Sequence, residues 1–338
     1  MVVKKIFLTG MLCIGCAVHT MAFANPDGDA NTKVTIDAHS VRQFFHFLDK
    51  STNQEGIGVV YEGQNISQAK NISDIAGREI TANNVNLLKN IPDAAIQNSP
   101  SIPDDIQMLA PLSPLTGASQ FFAIGFNYKD HAAEFKIKPG SDPTVFFKSI
   151  YSISNPYGDL QALTRKDVWL DFEGELGVVV GQNIYGQIDS KEKANAAIAG
   201  FITVIDLSDR NAQMNKGGEL TKGKSGLDYG PIGPFFVPND GRIDPTNLEI
   251  VTKLNGKVMQ QASTKNMIFN VYDIMQKLSP YFPLHQGDII TTGTPLGQIY
   301  GHPEIDYKNQ ASYMKKGDVL EVGIDHLGTQ KHTIEGTQ

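Results

Sequence analysis

Cysteine is nearly absent from this chain of 338 residues, and the positions of its two cysteines exclude several kinds of site. Both, Cys13 and Cys16, fall within the first 24 residues, so residues 25–338 contain none. That part of the chain therefore has no disulfide, no thiol nucleophile and no zinc site built on thiolates. Its chemistry has to come from carboxylates, histidines, cationic side chains and neutral polar groups.

The first 24 residues have the order of features typical of a secretory signal peptide. Lys4 and Lys5 form a charged start, residues 6–18 an apolar core, and residues 22–24 (Ala-Phe-Ala) a small-x-small cleavage pattern. We predict a Sec-type signal peptide cleaved after Ala24, and a protein exported to the periplasm or secreted. Two alternatives stay open: a lipoprotein acylated at Cys16, and an unexported protein with an apolar first strand. No later stretch is long and apolar enough to span a membrane.

Positive charge is also scarce. The formal net charge is −7, and removal of Lys4 and Lys5 makes it −9. This balance disfavours nucleic acid and anionic membranes as partners. Residues 218–225 (GELTKGKS) match the P-loop pattern, but no apolar strand precedes them and no helix can follow in GLDYGPIGP. We therefore expect no nucleotide, and a small molecule as the partner.

The 32 glycines and 17 prolines indicate many turns and a mixed α/β, strand-dominated fold. We predict a small N-terminal region and linker over residues 25–115, then a catalytic domain over 116–338, where short apolar segments alternate with glycine turns. Residues 41–50 are interpreted as a short helix, 83–91 as a second one, and 266–282 as the longest amphipathic helix.

An acidic segment, WLDFEGELGVVVG at residues 169–181, is the most informative part of the chain. As a strand it has an apolar face, while Asp171, Glu173 and Glu175 share the other face. A bound hard cation such as Mg²⁺, Mn²⁺ or Ca²⁺ would relieve their repulsion. Asp206, at the end of the apolar strand FITVI, is a candidate third ligand. The alternative is the solvated face of an edge strand.

His131 and Glu134 are three residues apart on a predicted helical turn, so their side chains can meet. A glutamate that orients an imidazole raises its basicity, which suits a general base; the alternative is a surface ion pair. Arg210 and Gln213 have the same spacing and are possible oxyanion donors. Lys224 and Lys148 could each pair a carboxylate or an enolate, although solvated lysines are the more common case.

Eight motifs occur in one order along residues 119–336, and in them the chain resembles the fumarylacetoacetate hydrolase (FAH) superfamily, in particular its acylpyruvase and fumarylpyruvate hydrolase branch. They are GFNYKDHAAE, PTVFFK, DFEGELGVVVG, DLSDRNAQ, KGKS, GPIGPFFV, LNGKVMQ and LSPYFPLHQGDIITTGTPLG. The resemblance implies a twisted β-roll with a small N-terminal domain, often dimeric. The chain differs where Ile205 precedes Asp206 in place of the family's usual asparagine.

The resemblance also implies roles for individual residues. It places a Mg²⁺ or Mn²⁺ site on Glu173, Glu175 and Asp206, and a lid-borne catalytic pair on His131 and Glu134. The remaining implied residues contact the substrate or its oxyanion: Arg210, Gln213, Lys224, Thr294, Tyr128 and Lys148.

Together these observations predict metal-dependent hydrolysis of a carbon–carbon bond in a 2,4-diketo acid of the acylpyruvate type, giving pyruvate and a carboxylic acid. One alternative uses the same site for oxaloacetate decarboxylation, dienoate hydration or isomerisation. A second is a secreted binding protein that keeps the fold without catalysis, which the altered neighbour of Asp206 and the predicted export motivate. A homodimer is expected from the resemblance alone.

Overall fold

A computed structural model describes residues 36–112, 119–138, 140–217 and 219–336 of the protein. The predicted signal peptide lies outside these residues, so its cleavage stays a prediction. Strands supply most of the regular structure, which confirms the strand-dominated fold class. They are β1 Arg42–Asp49, β2 Gln54–Tyr61, β3 Lys70–Asn71, β4 Ile106–Leu109, β5 Phe121–Gly125, β6 Thr144–Lys148, β7 Ile153–Ser154, β8 Tyr157–Leu163, β9 Leu170–Asp171, β10 Gly174–Val180, β11 Ile198–Ile205, β12 Ser208–Asp209, β13 Gly230–Pro231, β14 Val237–Pro238, β15 Glu249–Leu254, β16 Lys257–Ser263, β17 Ile289–Thr291, β18 Val319–Ile324 and β19 Gly328–Gly336.

The helices are short, and none in the described part of the chain is long and apolar enough to cross a membrane. The α-helices are α1 Ser73–Ala76, α2 Asp93–Asn98, α3 Lys129–Glu134, α4 Lys191–Ala197, α5 Arg210–Asn215, α6 Leu220–Gly223 and α7 Val271–Leu278. Single 3₁₀ turns lie at Ile66–Gln68, Leu88–Asn90, Ile150–Ser152, Thr264–Asn266 and Gln310–Ser312.

Helix α7 shows how local sequence sets an element. The Asn270 side chain accepts hydrogen bonds from the backbone N–H groups of Tyr272 (2.9 Å) and Asp273 (3.1 Å) and so caps the first turn. Buried apolar residues then recur at helical spacing along one face. The predicted helix over 266–282 is therefore correct in type but too long at both ends.

The helix predicted over residues 41–50 is wrong, because this segment is strand β1. Its first six residues are all buried, since β1 pairs with β2 on one side and β4 on the other. Burial on both faces removes the two-residue alternation that would mark a strand, and a short apolar run is then ambiguous between helix and strand. Of the helix predicted over 83–91, only the 3₁₀ turn Leu88–Asn90 is present.

The central sheet carries the acidic segment. Its six strands are ordered β14-β11-β10-β17-β5-β6. Strands β10 and β11 are antiparallel neighbours in which every residue is buried, as their continuous apolar sequences require. The acidic segment is not one strand, since Phe172 and Glu173 separate β9 from β10.

A second sheet, ordered β16-β15-β18-β19-β8, packs over the start of β10. The contact depends on Gly174, where an added Cβ would lie 2.4 Å from Thr252 Oγ1 and 3.0 Å from a methyl carbon of Val322. Only a residue without a side chain lets the two sheets approach so closely. The break at Phe172–Glu173 thus lies where the sheets meet, and this positions the acidic residues beside the crossing.

The N-terminal residues form a four-stranded sheet ordered β3-β2-β1-β4. Phe44 in β1 exchanges two backbone hydrogen bonds with Phe236, of 2.9 and 2.7 Å, next to β14 of the central sheet. Phe44 also shares a buried apolar cluster with Phe121 and Ile202 of the central sheet. The N-terminal sheet is therefore packed onto the edge of the central sheet, while the predicted domain boundary near residue 115 stays a prediction.

Candidate active site

Three carboxylates meet where β10 begins and β11 ends. Glu173 precedes β10, Glu175 is its second residue, and Asp206 follows β11. Antiparallel pairing of Gly174 with Ile205 places these ends side by side, and the Asp206 N–H donates to the Glu173 carbonyl at 2.8 Å. One oxygen from each carboxylate lies within 4.8 Å of the others, and all three side chains are buried. We call Glu173, Glu175 and Asp206 the acidic triad.

Asp171, the other carboxylate of the segment, has a separate function in the fold. Its oxygens accept hydrogen bonds from the Ile299 and Tyr300 N–H groups at 2.8 and 3.0 Å, and from Arg210 Nε at 2.9 Å. It therefore fixes the segment around residue 299 and the Arg210 guanidinium. Asp171 and Glu173 both accept hydrogen bonds from the Arg210 guanidinium, at 2.9 and 2.6 Å, although the strand is interrupted between them.

Three buried cations surround the acidic triad. Lys224 Nζ donates to Glu173 at 2.8 Å and to Asp206 at 2.6 Å, while Lys148 Nζ donates to the other Asp206 oxygen at 2.6 Å. Arg210 Nη2 donates to Glu173 at 2.6 Å. Burial alone would raise the pKa of Glu173, but the Lys224 and Arg210 cations outweigh it, so this pKa lies below its ordinary value.

Glu175 has no cationic hydrogen-bond partner in the described part of the chain. Its Oε2 accepts hydrogen bonds from Thr291 Oγ1 and from the Gly293 N–H, the latter at 2.7 Å. Burial raises the pKa of Glu175 well above its ordinary value, and the neighbouring Asp206 and Glu173 carboxylates raise it further. An oxygen-only donor set with one under-compensated carboxylate is the arrangement that a divalent metal ion stabilises, so the acidic triad fits such an ion.

His131 and Glu134 lie on α3, as their spacing predicted, with His131 Nδ1 3.6 Å from Glu134 Oε2. Burial lowers the pKa of His131, and the nearby Arg210 and Lys224 cations lower it further. Burial also raises the pKa of Glu134. The imidazole is therefore neutral at pH 7, which is the protonation state that a general base needs.

Gln298 is a contact of this pair that sequence reasoning missed. Its Nε2 lies 3.0 Å from His131 Nδ1, while its own Oε1 and Glu134 Oε2 are buried without hydrogen-bond partners among the described residues. A half-turn of the amide would let Oε1 accept a hydrogen bond from the Nδ1–H group of His131 and leave Nε2 of the imidazole free. The one sequence signal for this contact is that Gln298 directly follows the TGTPLG motif.

Helix α5 positions Arg210 and Gln213. Asp209 caps the helix by accepting a hydrogen bond from the Ala212 N–H at 3.2 Å. Gln213 Oε1 accepts from Arg210 Nη1 at 3.0 Å, and its Nε2 is buried with no partner among the described residues. The amide nitrogen of Gln213 is therefore an available donor, whereas Arg210 is already committed to two carboxylates.

A cavity of about 220 Å³ connects these groups. Its lining combines the polar residues His131, Glu173, Arg210, Gln213, Lys224, Thr294 and Gln298 with the apolar or aromatic residues Ile124, Gly125, Phe126, Phe135, Phe146, Met214, Leu220 and Tyr300. A small concave site with a few convergent polar groups is the usual form of an enzyme site for a small molecule.

The structure gives different surroundings to Thr294, Tyr128 and Lys148, three of the six residues for which the resemblance implied contact with the substrate or its oxyanion. Thr294 lines the cavity, but its hydroxyl donates to the Gly174 carbonyl (3.1 Å) and accepts from Gln260 Nε2 (2.7 Å). Tyr128 and Lys148 are not among the described residues that line the cavity. Lys148 instead holds Asp206, and the buried Tyr128 hydroxyl has no partner among the described residues.

Fold and site together define the class of this protein. The family model for the fumarylacetoacetate (FAA) hydrolase C-terminal domain matches residues 120–335, and the chain belongs to the fumarylacetoacetate hydrolase family. It is 38% identical over 221 residues to a 2,4-didehydro-3-deoxy-L-rhamnonate hydrolase of Sphingomonas sp. (strain SKA58), covering 65% of this chain and 75% of that protein.

Solved structures show the same fold. A fumarylacetoacetate hydrolase from Exiguobacterium antarcticum superposes with a TM-score of 0.72 at 27% identity, covering 87% of this chain and 99% of that one. A 2-hydroxyhepta-2,4-diene-1,7-dioate isomerase from Mycobacterium marinum does so with a TM-score of 0.62 at 25% identity, over 88% and 99%. The protein is an enzyme of a family that contains hydrolases and isomerases, which argues against the binding-protein alternative.

Proposed function

We propose that the protein hydrolyses a carbon–carbon bond in a 2,4-diketo acid of the acylpyruvate type, giving pyruvate and a carboxylic acid. One observation carries the proposal: a neutral, buried His131 lines the same cavity as Glu173, one member of the oxygen-only acidic triad. The name of the Sphingomonas relative supports it, since that hydrolase acts on a substrate oxidised at carbons 2 and 4.

The charge of the site supports a divalent metal ion. Asp171 and the acidic triad contribute four buried carboxylates, and Lys148, Arg210 and Lys224 contribute three buried cations, so the fully ionised cluster has a net charge of −1. We propose Mg²⁺ or Mn²⁺, with Ca²⁺ as a further candidate, because hard cations prefer oxygen ligands. The ion would supply Lewis acidity and orient the carboxylate and 2-oxo group of the substrate. With the divalent ion bound, the ionised cluster would have a net charge of +1, which suits a monoanionic keto acid.

His131 is the group that we assign to activation of water. Its neutral imidazole takes a proton from a water molecule, whose oxygen bonds to the carbonyl carbon at position 4 of the substrate. Glu134, 3.6 Å away, stabilises the imidazolium that results. Because burial and two cations keep the pKa of His131 low, the base is available at neutral pH without competition from protonation.

Gln213 is the residue best placed to stabilise the oxyanion that forms at carbon 4. Its Nε2 is buried and has no hydrogen-bond partner among the described residues. A preorganised donor of this kind stabilises a transition state by about 3 kcal/mol. Arg210 and Lys224 hold Glu173 in place. Collapse of the oxyanion breaks the bond between carbons 3 and 4, and the electron pair leaves as pyruvate enolate, which is protonated at carbon 3. The other product is the carboxylic acid.

The test follows the ultraviolet absorbance of an acylpyruvate with protein that has been treated with a chelator and then supplied with Mg²⁺ or Mn²⁺. We expect loss of the diketo band only after metal addition, with one pyruvate formed per substrate consumed. A loss of absorbance without pyruvate, or turnover that chelation does not affect, contradicts the proposal.

A second candidate keeps the same site for isomerisation, decarboxylation or dienoate hydration. The observation that favours it is the likeness to the Mycobacterium marinum isomerase. Decarboxylation of oxaloacetate consumes no water, so it needs no water-activating base at the position of His131, and none of these reactions needs attack of water on a distal carbonyl. Turnover of oxaloacetate or a dienoate by a His131→Asn variant at the rate of the unaltered protein would support this candidate over hydrolysis.

We also propose that the protein is exported and that it acts as a homodimer. The arrangement of Lys4, Lys5 and residues 6–24 supports export, and the family resemblance supports the dimer. Mass measurement of protein recovered from a periplasmic or culture fraction should give a chain that begins at Asn25. Light scattering should give twice the mass of that chain.

A further inference from the structure

The lining of the cavity has two chemically different parts. Glu173 and Lys224 connect the cavity to the rest of the acidic triad. Around His131 lie the aromatic rings of Phe126, Phe135 and Tyr300, and the Arg210 guanidinium lies 5.3 Å from the centre of the Tyr300 ring. Phe126 stacks on the imidazole with 5.5 Å between ring centroids, Phe135 meets it edge-on at 5.2 Å, and Tyr300 stacks on Phe135 at 5.3 Å. We call Phe126, Phe135 and Tyr300 the aromatic wall.

The aromatic wall fixes where the substrate's acyl group lies, given the proposed function on which this inference rests. If the keto-acid end of the substrate lies at the acidic triad, carbon 4 lies beside His131. The substituent on carbon 4 then points away from the triad and lies against the wall. Burying an apolar group against such rings contributes about 25 cal/mol per Å².

The cations that line the cavity are already paired, and this decides the charge of the acyl group. Arg210 donates to Asp171 and Glu173, and Lys224 donates to Glu173 and Asp206, at 2.6 to 2.9 Å. No other lysine or arginine lines the cavity within the described residues. A second carboxylate at the wall would lose its hydration without gaining a cation, which is strongly unfavourable.

We propose that the enzyme acts on acylpyruvates whose acyl group is uncharged and apolar, and that it discriminates against those with a carboxylate at the far end. The aromatic wall is the binding site for that acyl group. Met214, next to Gln213 on α5, lines the cavity and is 37% exposed, so the charge of the cavity can be altered there without burying a new ion.

The experiment compares 4-methylpentanoylpyruvate with succinylpyruvate, in which a carboxylate replaces the branched methyl end at similar size. We expect kcat/KM to favour the apolar compound at least 100-fold, which corresponds to about 2.7 kcal/mol. A Met214→Arg variant should improve kcat/KM for succinylpyruvate at least tenfold, while Met214→Leu, the matched control, leaves the preference unchanged. Equal rates, or a preference for succinylpyruvate, overturn the proposal.

Binding of the same two compounds separates this inference from the proposed function. Thermal stabilisation of the Mn²⁺-loaded protein by each compound is measured whether or not turnover occurs. If neither compound is hydrolysed but only the apolar one stabilises the protein, the proposed reaction is wrong and the specificity of the wall is supported. Stronger stabilisation by succinylpyruvate contradicts the inference even when hydrolysis is observed.

Discussion

Two networks of charged side chains in the described part of the chain are built differently. The first joins the N-terminal sheet to the rest of the chain and consists of Arg42, Asp93, Asp240 and Arg242, which we call the linking network. Asp240 accepts hydrogen bonds from Arg42 Nε and Arg242 Nη1, each at 3.2 Å, and Asp93 accepts one from Arg242 Nη2 at 2.7 Å. Two cations match two carboxylates. Within these four residues, all of them described, no buried side-chain atom lacks a partner.

The second network is the acidic triad with its cations, and it is incomplete. With Asp171 included, its four carboxylates outnumber its three cations, and Glu175 has its pKa raised by burial and by Asp206 and Glu173. The buried polar atoms Gln213 Nε2, Gln298 Oε1 and Glu134 Oε2 have no partners among the described residues nearby. The linking network therefore balances its charges and hydrogen bonds with its own residues. The site does not, and an ion and a substrate would balance its charge and bind its unpaired polar atoms.

The largest expected effect is in the acidic triad. A Glu175→Gln variant keeps an oxygen that can accept from Thr291 and Gly293 but removes the charge. We expect activity to fall about 10³-fold and Mn²⁺ affinity to be lost, because a ligand that contributes several kcal/mol is gone. We also expect the metal-free Tm to rise by a few degrees, since a buried carboxylate near two others is removed.

Activity assays, calorimetric titration with Mn²⁺ and thermal unfolding measure these three effects. Glu62→Gln, at an ion pair with His326 on the surface, is the matched control and should change none of them. Unchanged Mn²⁺ affinity in Glu175→Gln would remove Glu175 from the metal site.

The next effect concerns His131. A His131→Asn variant should lower kcat for acylpyruvate hydrolysis by about 10²- to 10⁴-fold, the usual contribution of a general base. Mn²⁺ affinity should not change, because the imidazole contacts none of the triad carboxylates among the contacts described. A variant that loses both activity and metal would show that His131 supports the fold of the site instead.

The linking network should respond in stability and leave catalysis unchanged. Asp240→Ala removes the nearer carboxylate partner of Arg42, which is only 4% exposed, and leaves Asp93 at 3.9 Å. We expect a loss of about 3 kcal/mol in the free energy of unfolding, with kcat and KM unchanged at 25 °C. Urea unfolding measures the loss, and Asp104→Ala at an exposed position is the control. A fall in kcat with no change in stability would show that the linking network acts on catalysis, which contradicts the prediction.

The smallest expected effect is a pH dependence that sharpens the assignment of the base. The pKa of His131 lies below its ordinary value of 6.5, so the neutral imidazole persists through pH 7 and is protonated only in more acidic solution. The kcat/KM should therefore be constant near pH 7 and fall tenfold per unit once pH drops below that lowered pKa.

Stability should decline in the same direction. The unfolded chain binds a proton at His131 near pH 6.5 and the folded chain only at lower pH, so stability decreases as pH falls between the two values. If kcat/KM already falls at a pH above 6.5, or if the same fall occurs in His131→Asn, the group that titrates is not His131.

Local sequence determined much of the site. The E-x-E spacing and the apolar strand before Asp206 indicated a hard-cation site, with a solvated edge strand as the alternative, and the structure brings these carboxylates together in a buried position. The separation of His131 and Glu134 by three residues predicted their contact on a helical turn. The motifs placed the chain in its family. Each of these predictions depends on residues close in sequence, or on motifs, and so needs no knowledge of packing.

Tertiary structure alone decided the rest. Asp171 binds Arg210 and the backbone near residue 299, because the crossing of two sheets at Gly174 interrupts the acidic strand. Gln298 meets His131 across 167 positions of sequence. Residues 42–47 were predicted to be helical, but they form a strand that is buried on both faces. Periodicity reports one element at a time, and contacts between distant elements follow only from how the sheets pack.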